Sequence, residues 1–148
     1  MPFVSVTRLH LRSAWGFLPF IWHTFRSNAQ AKRAPGYLGG CLNRDAHGAY
    51  WTVTVWESRE AMMAFRGSGA HRAAMPRIAD LSDEAAYTHW EQPTAQVPDW
   101  RTAHARLLAD PHFTKLPHAS EAHRQRKLPA APAFPGMRSE EPPAAPRA

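Results

Sequence analysis

Cysteine is almost absent from this chain: Cys41 is the only one in 148 residues. A disulfide framework is thereby excluded, and so is a zinc site built from several thiolates. Long apolar runs are missing too. The longest, Trp15 to Trp22, falls far short of the ~20 residues that a membrane-spanning helix needs. Proline is scarce at first and abundant later, with four of 14 in residues 1–92 and ten after them. That shift predicts an ordered domain over 1–97, an appended helix over 98–110 and a Pro/Ala-rich, largely disordered tail over 111–148. No folded stretch concentrates positive charge by this division. Residues 1–97 carry 10 basic and 7 acidic groups, residues 98–148 carry 8 and 5. The one tight basic cluster, Arg124 to Lys127, lies in the Pro-rich tail. A nucleic-acid binder gathers its charge on a folded face with aromatics interleaved, so no nucleic-acid partner is expected. Arg8, His10 and Arg12 interrupt the first apolar segment, which argues against a secretory signal. The expectation is a soluble, cytoplasmic protein with no membrane partner.

What is present has clear periodicity. Residues 3–11 read as a strand with Phe3, Ser5, Thr7 and Leu9 on one side and Val4, Val6, Arg8 and His10 on the other. Residues 14–33 read as a helix. Trp15, Leu18, Trp22 and Phe25 form one apolar stripe, expected to be buried, and Phe17 and Ile21 widen it. Pro19 fits only its first turn, and Pro35-Gly36 stop it. Residues 36–44 and 49–57 read as a hairpin around Asp45-Ala46-His47-Gly48. Gly39-Gly40 inside its first strand points to a bulge or a close backbone approach. A helix capped by Ser58 covers 59–66. Gly67-Ser68-Gly69 interrupts it, and a further turn or two runs towards Pro76. A fourth strand covers 84–91. The order β-α-β-β-α-β is the ferredoxin-like α+β arrangement: a four-stranded antiparallel sheet with both helices on one face. Residues 50–56 carry large apolar or β-branched side chains on both sides, so the open face is expected to be buried by a second copy, making a homodimer. Asp99 to Ala109 reads as a short amphipathic helix with Trp100, His104, Leu107 and Leu108 on one side. The stretch 128–148 is expected to be removable without effect on folding.

The segment from Trp51 to Phe65, Trp-Thr-Val-Thr-Val-Trp-Glu-Ser-x-Glu-Ala-Met-x-x-Phe, is followed by Ser68-Gly-Ala-His71. It resembles the antibiotic-biosynthesis-monooxygenase-like proteins of the dimeric α+β barrel superfamily. The resemblance implies a small-molecule monooxygenase with its pocket between sheet and helices, acting without a cofactor on an aromatic or polyketide-like substrate. A haem- or other ligand-binding protein without turnover, and a non-catalytic interaction module, are the alternatives on the same fold. Haem-degrading members of the superfamily use an Asn on the first strand, a Trp on the second helix and an axial His later on that helix. Aligning their Thr-Val-Trp-x-Ser on Thr54 to Ser58 places Thr7, Phe65 and Met75 there. Thr7 and Phe65 cannot supply the Asn and Trp functions, so haem degradation is not expected. Haem held in another way, through Met75 or a shifted His71, stays open.

His71 is the candidate catalytic residue, because a free imidazole titrates near neutrality and can move a proton. The competing reading is a helix-start histidine bonded to a nearby carbonyl. Arg66 is the candidate anchor for an anionic group, against a plain partner of the helix dipole. Phe65, Met75 and Thr7 complete the expected substrate-binding set. His89 and Trp90 are neighbours on a strand and point oppositely, so only one can line the cleft. Cys41 reads as a small buried hydrophobe. The late histidines, His104, His112, His118 and His123, match no zinc spacing, and no metal site is expected.

Overall fold

The computed structural model describes residues 1–130 together with Phe134. Its strands are β1 (Phe3–Leu11), β2 (Tyr37–Arg44), β3 (Tyr50–Trp56), β4 (Ser82–Glu91) and β5 (His112–Phe113). The helices are α1 (Phe17–Arg33, entered through a 3-10 turn at Ala14–Gly16), α2 (Arg59–Arg66), α3 (Gly69–Leu81), α4 (Trp100–Ala109) and α5 (Glu121–Arg124). The strands form one antiparallel sheet in the order β2-β3-β1-β4-β5. This is the ferredoxin-like α+β fold with a fifth strand added. Sequence periodicity misses β5 because two residues show no alternation. What holds them is pairing, His112 with Tyr87 and Phe113 with Ala86.

Local chemistry explains the joints. Asp45 organises the β2–β3 hairpin. Its Oδ1 accepts from the backbone N–H of His47 and of Ala49, both at 2.9 Å, and its Oδ2 accepts from Trp51 Nε1 at 2.9 Å. Arg8 lies against the same carboxylate and donates to Glu84 at 2.7 Å, so a nearly buried guanidinium meets two carboxylates. At Gly40 an added Cβ would lie 2.6 Å from the Val53 carbonyl oxygen, and the β2–β3 register shifts between Tyr37 and Gly39. The glycine pair therefore marks both a register shift and a close approach. Pro19 sits in the first turn of α1, where no N–H is needed. Pro76 does not end α3, which continues to Leu81.

Alternation along the strands gives the sheet two unlike faces. One carries Val4, Val6, Trp51, Val53 and Val55, all without solvent exposure. The chain itself covers this face. Ala103 and Leu107 of α4 pack on it, with Leu128 and Phe134 beside them, and the Phe134 ring stands 5.2 Å from that of Trp51. The expectation of a second copy rested on this face being open in one chain. It is closed by segment 98–130 and Phe134, so its apolar character does not call for a partner there.

The segment after α4 also departs from a loose tail. Ser120 caps α5 by accepting from His123 N–H. His123 is buried between a 2.8 Å contact from Nε2 to the Thr114 carbonyl and a 3.4 Å bond accepted at Nδ1 from Ala85 N–H. It pins residues 111–124 to β4 through backbone groups, which composition does not register. The rest of the expected tail, 131–133 and 135–148, lies outside the described residues.

The stripe of α1 is the largest correction. Trp15, Leu18, Trp22 and Phe25 face outward. The buried row is Phe20 and Ala31, with the partly buried Thr24 and Ser27 between them. Periodicity defines a stripe but not the direction it faces.

Leu128 and Phe134 belong to the packing of the sheet, so removal of residues 128–148 is expected to lower stability. A fall of several degrees in the thermal midpoint, followed by circular dichroism, is the measurement that checks it.

Candidate active site

The second sheet face is apolar at its ends and polar at its centre. Phe3 pairs with Trp56 at one end, and Leu9 lies between Tyr50 and Ala85 at the other. Between them run two cross-strand rows, Thr54–Ser5–His89 and Thr52–Thr7–Tyr87. All six side chains border a cavity of about 220 Å³ roofed by α1, α2 and α3. From α1 come Phe20, Thr24, Ser27 and Asn28; from α2 and α3 come Phe65, Arg66, His71 and Met75. Thr7, Phe65, Arg66, His71 and Met75, the five residues singled out in the sequence, thus border one cavity.

His71 is set by the junction of α2 and α3. Ser68 begins α3, but its hydroxyl turns back to the Ala64 carbonyl at 2.8 Å and makes no cap bond. Gln30 of α1 takes over. Its Oε1 accepts from His71 N–H at 2.7 Å, and its Nε2 donates to the Ser68 carbonyl at 3.0 Å. Gly69 makes room with φ +55°, and a Cβ there would lie 3.0 Å from the Gln30 amide. The His71 ring packs 4.7 Å from Phe65, which stacks on Trp56 at 4.9 Å. Its Nδ1 lies 3.3 Å from the Arg66 carbonyl. A carbonyl only accepts, so that bond puts the ring hydrogen on Nδ1 and leaves the lone pair on Nε2.

Electrostatics keep the imidazoles neutral. Burial pushes the His71 pKa below its ordinary value. The bond to the Arg66 carbonyl opposes the fall, and the nearby guanidinium of Arg66 adds to it. His89 is pushed down to about 4, first by burial and then by the positive charge of Arg66, by His112 and by Arg59. Arg66 holds its Cζ 5.7 Å from the centre of the Tyr87 ring. One cation therefore acts on both imidazoles of the cavity. The Ser27 hydroxyl is buried with no hydrogen-bond partner among the described residues, a state that costs about 1–3 kcal/mol unless a ligand meets it.

Tyr87, Ser27 and the rows of hydroxyls were not singled out in the sequence, and the choice between His89 and Trp90 was left open; the structure turns His89 to the cavity. The signal for His89 was present in the alternation of β4: it shares a side with Tyr87, whereas Trp90 packs on the opposite face against the core and under Arg106. Among the described residues the late histidines form no cluster of ligands. His123 bonds backbone groups, and His104 Nε2 meets the Pro129 carbonyl at 3.1 Å.

Two expected outcomes follow from this geometry. Gly69→Ala forces a side chain into a left-handed backbone position and against Gln30, and should cost about 1–2 kcal/mol in urea unfolding. His89 supplies a pH dependence. Its pKa is 6.5 unfolded and about 4 folded, so between these values the unfolded chain takes up a proton that the folded chain does not. Stability should fall as pH drops through that window, and His89→Gln should flatten the fall in urea titrations at stepped pH.

Residues 21–77 match the family model described as antibiotic biosynthesis monooxygenase. No curated protein matches the chain. SnoaB from Streptomyces nogalater, a cofactor-independent oxygenase, superposes with a TM-score of 0.54 at 18% identity, over 63% of this chain and 94% of SnoaB. Rv0793 from Mycobacterium tuberculosis gives 0.58 at 17% identity, over 64% of this chain and 97% of that one. Both are spanned almost entirely, while more than a third of this chain has no counterpart in them. The resemblance read from Trp51 to His71 therefore holds: residues 21–77 carry the antibiotic biosynthesis monooxygenase match, on the ferredoxin-like α+β fold that SnoaB and Rv0793 share.

Proposed function

We propose that the protein is a cofactor-independent monooxygenase for a compact, electron-rich hydroxyaromatic or polyketide-like substrate. The observation that carries this reading is the meeting of His71 and Arg66 on one cavity floored by hydroxyls. The family match over 21–77 supports it, as does the description of SnoaB as a cofactor-independent oxygenase. Size limits the substrate. A cavity of about 150 Å³ holds benzene, so 220 Å³ suits one substituted ring or a small bicycle.

In this reading His71 Nε2 removes a proton from an activated ring CH₂, and the Arg66 guanidinium balances the resulting anion. Phe65 and Met75 pack the ring, and Thr7 bonds a substrate oxygen. The carbanion reduces dioxygen and a C–O bond forms. Loss of the second hydrogen from that carbon then breaks the O–O bond. One oxygen atom stays as a carbonyl and the other leaves as water, carrying the proton held by His71. The balance is R₂CH₂ + O₂ → R₂C=O + H₂O, with the substrate as sole reductant. The lowered pKa of His71 keeps the base form present below pH 6.5.

The test is oxygen uptake and product analysis with a panel of mono- and bicyclic hydroxyaromatics. His71→Ala should lower kcat/KM by about 10²-fold or more with little change in thermal midpoint. Arg66→Gln should weaken turnover of the same substrates. The acid limb of the wild-type pH profile should lie below 6.5. A panel that neither shifts the thermal midpoint nor consumes oxygen would overturn the reading. A Soret band on titration with haem, lost in His71→Ala, would favour ligand binding without turnover.

A further inference from the structure

The outward face of α1 has no role in the cavity. Trp15 is 94% exposed, Leu18 77%, Trp22 60% and Phe25 70%. Together they show on the order of 500 Å² of apolar surface, at the upper end of what a monomeric protein leaves in water. At 100° per residue the same stripe continues through Lys32 and Arg33, and Arg26 lies beside it with Cζ 5.8 Å from the Trp22 ring. The face borders an open groove of about 740 Å³ between α1 and α2, lined in part by Phe25, Arg26 and Arg33, with Glu57 the one carboxylate among its lining residues.

Charge selects the occupant. The first acidic residue of the chain is Asp45, and residues 1–44 hold six Lys and Arg. The remaining residues hold 12 basic and 12 acidic groups, so the whole formal excess of +6 lies in the first 44. Arg8 is buried with its carboxylates, which leaves Arg12, Arg26, Lys32, Arg33 and Arg44 exposed. A second copy on this face would oppose like charges. We propose that α1 docks the protein on an anionic lipid surface, with Trp15, Leu18, Trp22 and Phe25 entering the headgroup boundary and Arg26, Lys32 and Arg33 meeting lipid phosphates. Tryptophan and phenylalanine beside arginine and lysine suit that boundary, where an apolar layer adjoins negative charge. The sequence-based expectation of no membrane partner rested on spanning length, which does not bear on docking. No helix among the described residues is long and apolar enough to cross a membrane.

The test is co-sedimentation of the full chain with vesicles of phosphatidylcholine alone and of phosphatidylcholine mixed with phosphatidylglycerol, with tryptophan emission recorded in parallel. The expected result is binding to the anionic vesicles, a blue shift, and release by raised salt. Trp22→Ser with Phe25→Ser, and separately Arg26→Glu with Lys32→Glu, should each lower the bound fraction about tenfold. These side chains are exposed, and an unchanged thermal midpoint shows that the variants fold. Equal binding to both vesicle types, or binding that survives both pairs of substitutions, would overturn the proposal. So would a dimer in sedimentation velocity that Trp22→Ser with Phe25→Ser dissolves, because a second copy then covers the face. Failure of the full chain to bind would also overturn it.

Discussion

A strand sends successive side chains to opposite faces, and β1 is paired on both edges, so its nine residues commit the whole sheet to two surfaces that must each be kept from bulk water. The residues on those surfaces differ in kind. Valines and Trp51 make one face that only apolar cover can satisfy. Serine, threonine, tyrosine and histidine make the centre of the other, where complete apolar cover would strand hydroxyls without partners. The two layers on either side follow from this difference. Over the valines the chain lays α4, Leu128 and Phe134 in direct contact. Over the hydroxyls the helices leave a cavity.

The cover of the polar face is shaped by the same demand. α1 turns Thr24 and Ser27 inward between Phe20 and Ala31, and so must turn Trp22 and Phe25 outward. Gln30, farther along the helix, reaches the α2–α3 junction and replaces the missing Ser68 cap. One helix therefore borders the cavity, holds the backbone of His71 and presents an exposed apolar stripe.

Electrostatics divide the sheet again. At one end, Arg8, Asp45 and Glu84 form a nearly buried cluster in which each charge has a partner. Such a cluster ties β1 to the hairpin and to β4, and losing one member would strand the others. At the cavity burial, aided by the charge of Arg66, pushes the pKa values of His71 and His89 down and so favours their neutral forms. The contrast is between charges paired in place and a cation held beside neutral bases.

Much of this was legible without coordinates. The alternation of Phe3 to Leu11 and of Tyr50 to Trp56, the turn at Asp45 to Gly48, the Ser58 cap and the order of elements are local properties, decided by side-chain period and capping chemistry. The family resemblance brought Thr7, Phe65 and Met75 onto one list with Arg66 and His71; strand parity and the helix break agree with Thr7 and His71 facing the same cleft. Local chemistry does not determine what covers a face. Whether α1 buries Trp22 and Phe25 or Thr24 and Ser27 depends on the surface opposite, which three strands distant in sequence assemble jointly. Whether the sheet needs a second copy depends on where residues 98–130 and Phe134 go, and β5 exists only because Tyr87 and Ala86 offer it an edge. Periodicity is a property of one segment, whereas burial is a property of two surfaces in contact, and only the tertiary structure specifies the second surface.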